Sequence, residues 1–202
     1  MRKISLFAED RGHEIVLKAV VERVLASYEV QAKIRLVSVR GGFGRVLAEL
    51  EQYVKDLLSY NCGLPDLVIV ATDANCHGIN ARRKTFQKVV EPIQDRIIYA
   101  IPDPHIERWL LRDPAAFKAV LGTPCQTIQQ KCDRDRYKNL LIDSVRNADA
   151  VPLLGGLEYA EDIVNNMDLS PASDDRDFGD FLQELHTRAR LWKQQGTTHS
   201  HE

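Results

Sequence analysis

Apolar positions in the first half of the chain alternate between two spacings. Ile4-Ser5-Leu6-Phe7-Ala8 is a short apolar run that predicts a strand. Val16, Val20 and Val24 then recur every four residues beside Leu17, Val21 and Leu25, the period of a helix face. Ala32-Lys33-Ile34-Arg35-Leu36-Val37 runs on toward Val39 as a second strand. Arg40-Gly41-Gly42-Phe43-Gly44 interrupts it, and Val46, Leu47, Leu50, Val54, Leu57 and Leu58 restore the helical period. The span from Asp66 to Thr72 predicts a third strand, apolar on both faces as a central parallel strand under helices must be. A polar loop from Asp73 to Asn80 leads into a helix through Lys84, Phe86, Val89 and Val90, which ends near Pro92 because proline lacks the amide donor. Arg96-Ile97-Ile98-Tyr99-Ala100-Ile101 is a fourth strand, stopped by Pro102 and Pro104.

From His105 onward only the helical period remains, through Ile106 to Leu111, Ala115 to Leu121, Tyr137 to Val145, Tyr159 to Met167 and Phe178 to Trp192. Ser170-Pro171-Ala172-Ser173-Asp174-Asp175 is the clearest loop. The expected fold class is α/β, a mainly parallel four-stranded sheet flanked by helices, with a helical C-terminal half packed on it. The expected organisation is an α/β domain over 1–113, a helical extension over 114–195 and a disordered tail over 196–202. No long linker separates the two halves, so the second is expected to pack on the sheet rather than fold alone.

With 44% apolar and 28% charged residues in 202, the chain can bury a sizeable core and does not read as disordered. A formal net charge of −2 argues against a uniformly basic nucleic-acid binder, so nucleic-acid contact would come from local patches. Cys62, Cys76, Cys125 and Cys132 contain no C-x-x-C element, and they read as buried or incidental thiols of a reducing cytosol. No apolar stretch approaches bilayer length, and no signal-peptide pattern begins the chain, so a cytoplasmic protein is expected.

The chemistry gathers where strands end. The first strand runs into Glu9 and the third into Asp73-Ala74-Asn75. In a parallel sheet these ends share one edge, the edge where ligands bind. Asp73 and Asn75, two positions apart, point the same way in an extended segment and suit metal ligation; an Asx turn explains them too. Glu14 in the first turn of the first helix either complements the helix dipole or takes part in catalysis, and Glu107, just past the fourth strand, carries the same two readings. The glycines of Arg40-Gly41-Gly42-Phe43-Gly44 can bring backbone amides to a phosphate, or form a tight turn. Arg82-Arg83-Lys84 can hold a nucleic-acid backbone, or be a solvated helix face. Lys131, Arg134, Arg136 and Lys138, interleaved with Asp133 and Asp135, read as a solvated mixed-charge face. His77 and His105 stand in loops beside the acids and are candidates for proton transfer.

A glutamate after the first strand, an Asp-x-Asp-type pair after a later apolar strand, and β/α alternation resemble Toprim domains, found in topoisomerases, primases and overcoming-lysogenization-defect nucleases. The run from Ile101 to Asp113 resembles the Glu-x-Trp-Leu-Leu-x-Asp signature of stand-alone bacterial Toprim-like proteins, some linked to phage defence. The resemblance covers Lys3 to Asp113 and extends weakly into the helical tail. It implies Glu9 as general acid/base or metal ligand, with Asp73 and Asn75 holding Mg²⁺ or Mn²⁺. Asn75 stands where the pattern has a second acid, which removes a charge from a cation seat; either the site uses fewer metals, or Glu14 or Glu107 supplies the charge, or the protein is no longer a strong catalyst. The function implied is metal-dependent phosphodiester hydrolysis of DNA or RNA. The alternatives are a non-catalytic regulatory subunit of a partner ATPase, and a nucleotide-binding enzyme of doubly wound type.

Overall fold

The computed structural model describes residues 1–60, 63–126, 132–133, 135–170 and 176–198. Strand β1 (Arg2–Ala8) leads into helix α1 (Arg11–Ser27), β2 (Ala32–Ser38) into α2 (Phe43–Tyr60), and β3 (Leu67–Ala71) into α3 (Ile79–Val90). Strand β4 (Ile97–Ala100) follows a short 3₁₀ turn and completes the sheet. Helices α4 (Glu107–Leu110), α5 (Pro114–Leu121), α6 (Arg136–Asn147), α7 (Ala160–Asn166) and α8 (Arg176–Thr198) make up the rest. The elements read from periodicity are all present. The last helix reaches Thr198, beyond the expected end at Trp192, so positions 196–198 of the expected tail are helical. The loop read over 170–175 falls, beyond Ser170, outside the described residues.

All strand pairs are parallel, in the order β2-β1-β3-β4. The chain goes from β1 to β2 on one side, then crosses back through α2 to lay β3 on the other side of β1. The crevice between the C-terminal ends of β1 and β3 is therefore the switch point at which open α/β sheets bind ligands. In the register, Ala8 pairs with Ala71, which places Glu9 opposite Thr72.

Strand alternation divides the interior in two. Ile4, Leu6, Leu67, Ile69, Ile98 and Ala100 face a core shared with α1, α5, α6, α7 and α8. Phe7, Val68, Val70, Ile97 and Tyr99 face a smaller core under α2 and α3. All five residues of β3 are buried, as its central place requires. The helical second half thus supplies one layer of a three-layer sandwich.

One sequence expectation is corrected. Cys76 and Cys132 are not separate thiols but a disulfide pair, with Cα atoms 5.7 Å apart. The absence of C-x-x-C says nothing about cysteines 56 positions apart that the fold brings together. Cys125 is a buried free thiol, and Cys62 lies outside the described residues.

Candidate active site at the sheet switch point

The site begins with a helix cap. Asp10, in extended conformation before α1, accepts from His13 N at 3.0 Å, satisfying one of the free amides of the first turn. The same oxygen lies 2.9 Å from His13 Nδ1. This cap turns the His13 ring inward, where the residue is wholly buried. Its other nitrogen, Nε2, lies 3.1 Å from Asp73 Oδ1, with the N–H not well aimed at that oxygen; the contact is a charge pair rather than a directed hydrogen bond. With a carboxylate against each nitrogen, the ring is held as imidazolium. Burial alone would lower its pKa, but Asp10 and Asp73 outweigh burial and raise it to about 10.

Asp73 is the hub. Only 6% exposed, it accepts from Ile106 N at 3.0 Å through Oδ1 and meets His105 Nδ1 at 3.0 Å through Oδ2. Burial would raise its pKa, and the two histidines overcome that and lower it. His105 in turn is raised, chiefly by its bond to Asp73. Asp73 thereby ties the end of β3 to the start of α1 and to the turn before α4. With Nδ1 of His105 oriented by a carboxylate, Nε2 is left as the nitrogen able to exchange a proton, the arrangement of a carboxylate-oriented acid/base histidine.

Glu9 lies beside this hub. Its Oε2 accepts from the Thr72 hydroxyl and, at 3.1 Å, from Asp73 N. Its Oε1 faces Gly42, where a Cβ would stand 3.6 Å away. Gly42 has φ of 79°, a conformation that glycine adopts without strain. The Arg82 guanidinium lies over the Phe43 ring, 4.0 Å from its centroid, and its charge is felt by both Glu9 and Asp73.

Glu107 is 5% exposed, and its Oε2 has no hydrogen-bond partner among the described residues. Burial raises its pKa, and the charges of Asp73 and Asp10 add to that, while Lys138 opposes it. Glu14 carries a buried Oε1 likewise without a partner among the described residues.

The fold thus gathers Glu9, Asp73, Arg82, His105 and Glu107 at one edge, with Gly42 against Glu9. Asn75 is in the left-handed region at φ 47° and donates its backbone N–H to Pro104 O. Arg83 pairs with Glu184 at 3.1 Å and lies over Tyr99, which ties α3 to α8. Arg40, Gly41, Lys84 and His77 are exposed. Lys131 and Arg134 lie outside the described residues. Lys138, read as part of a solvated face, is exposed, yet its charge reaches Asp10, His105 and Glu107. Asp10, His13 and Thr72 were missed by sequence reasoning. An N-cap aspartate three positions before a histidine was the available signal for the first two.

A divalent cation on Asp73 does not fit this arrangement. Both Asp73 oxygens already face donors, and the protonated His13 ring lies against Oδ1, where its charge opposes a second cation. Among the described residues, no three His, Cys, Asp or Glu side chains converge as ligands of one ion. Compared with known proteins, the chain matches no family model, no curated protein and no solved structure.

Proposed function

We propose that this chain is a Toprim-type phosphodiester hydrolase acting on DNA or RNA, whose proton transfers are carried by its own side chains. The observation that carries the reading is the pairing of Glu9 with the Asp73–His105 dyad across the β1/β3 switch point. Glu9, fixed through Oε2, offers Oε1 as a base toward an attacking water. His105, held protonated by Asp73, is the acid for the leaving oxygen. Arg82 supplies positive charge for the phosphate. His13 and Asp10 hold Asp73 in place from below.

A second reading rests on one observation. Asp73 is saturated by internal partners, which also suits a scaffold that keeps the Toprim frame without catalysis and serves a partner ATPase.

Single- and double-stranded DNA and RNA are incubated with the wild type and with Glu9→Gln, in Mg²⁺, in Mn²⁺ and in chelator. Cleavage by the wild type is expected to fall about 100-fold or more in Glu9→Gln, the share that acid–base catalysis commonly supplies. Undiminished cleavage by the variant removes Glu9 from the mechanism. No cleavage in any condition, with or without an ATPase from a neighbouring gene, favours the regulatory reading. The chelator arm decides whether a cation carried in with the phosphate takes part.

A further inference from the structure

Two cysteines meet beside the crevice without any part in the chemistry above. Cys76 lies in the loop that follows β3, three positions past Asp73, and Cys132 lies just ahead of α6, the helix that carries Lys138. Their Cα separation of 5.7 Å is that of a disulfide. The loop holding Cys76 is fixed on the other side. Ala74 N donates to Pro102 O at 2.8 Å, and Asn75 N to Pro104 O at 3.2 Å. Both residues of the pair are exposed. Cys125, in contrast, is 5% exposed, its Sγ donates to Leu111 O at 3.4 Å, and burial pushes its pKa up to about 11, an inert thiol. An oxidant in solution can therefore reach Cys76 and Cys132 and finds each thiol beside its partner.

We propose that Cys76 and Cys132 form a reversible thiol–disulfide site, which staples the segment leading into α6 to the Asp73 loop. The oxidant is a low-molecular-weight disulfide of the glutathione type. The thiolate of one cysteine attacks a sulfur of the reagent, forms a mixed disulfide and expels one thiolate. The thiolate of the other attacks the protein sulfur, closes the Cys76–Cys132 bond and expels the second. Two protein thiols are oxidised, the reagent disulfide is reduced to two thiols, and the cysteine protons pass to them.

Reduction leaves α6 anchored by the buried Tyr137, Leu141 and Val145, so the helix persists. What is released is the tether between the approach to α6 and the loop after β3.

The full-length chain is equilibrated in glutathione buffers of graded oxidation, mapped by peptide mass without reductant, and followed by hydrogen exchange. A linked Cys76–Cys132 peptide is expected in the oxidised wild type and in Cys125→Ser, and is absent from Cys132→Ser and Cys76→Ser. Exchange over 74–78 and 136–140 is expected to quicken about tenfold on reduction of the wild type and to be fast at every buffer ratio in the two variants. Thiols that stay separate under oxidising buffer, or exchange indifferent to the bond, overturn the proposal.

Discussion

His13 is a cation buried between two carboxylates, and its removal takes the paired positive charge from Asp10 and one of two from Asp73. Truncating one member of a buried ionic group leaves uncompensated charge, so His13→Ala is expected to cost about 3 kcal/mol. The pH dependence follows from the same contacts. The folded-state pKa of His13, about 10, lies above the ordinary 6.5, so its contribution is complete below 6.5 and is lost as pH rises toward 10. His105 is shifted in the same sense. Asp10 and Asp73 are held below their ordinary 3.8, so their contribution is complete above that value and is lost as pH falls through the lowered range. Thermal unfolding across pH should therefore show its highest midpoint between 3.8 and 6.5, with a decline on the alkaline side that His13→Ala flattens. A variant that keeps the wild-type alkaline slope would remove His13 as its source.

At the scale of elements, the placement of α4 depends on a residue from the far end of the chain. Asp177, in the first turn of α8, is buried and accepts from Asp103 N at 2.6 Å, from Trp109 Nε1 at 3.1 Å and from the Arg108 guanidinium. It thus holds the segment carrying His105 and Glu107 against α8. Asp177→Ala leaves the Trp109 indole and the Asp103 amide buried without that acceptor, a change expected to cost about 3 kcal/mol. Equilibrium urea unfolding measures it, and a loss under about 1 kcal/mol, the value of one exposed ion pair, would show that the clamp is dispensable. This clamp also marks how far the sequence could be read. The strands and helices were legible because each is set by a local period, and the shared edge of Glu9 and Asp73 followed from parallel pairing. The Asp177 contacts, the Asp73–His105 pair and the Cys76–Cys132 bond were not, because no local pattern encodes which distant side chains meet. Asp73 was identified as a site residue from its position, yet its partners, which decide its chemistry, come from α1 and from the turn before α4.

For the whole molecule, the division expected at 113/114 meets a core that crosses it. Leu6, Ile69 and Ile98 of the sheet share one apolar cluster with Phe117, Leu141, Ile163 and Leu182 of the second half. Trp109 packs on Phe178 and Phe181, with ring centroids 4.5 and 5.6 Å apart. Burying a large apolar side chain contributes about 1.5–3 kcal/mol, so a fragment that loses the cover over Trp109, Leu6, Ile69 and Ile98 forfeits up to about 6 kcal/mol. The net stability of a whole domain is only about 5–15 kcal/mol. A fragment ending at Asp113 is therefore expected not to fold on its own, and the full chain to unfold in a single cooperative transition with equal calorimetric and van't Hoff enthalpies. Dispersed amide resonances from the 1–113 fragment, or two resolved calorimetric transitions in the full chain, would instead make the helical half a separate unit, and the site at the sheet edge would then have to be intact without the Asp177 clamp.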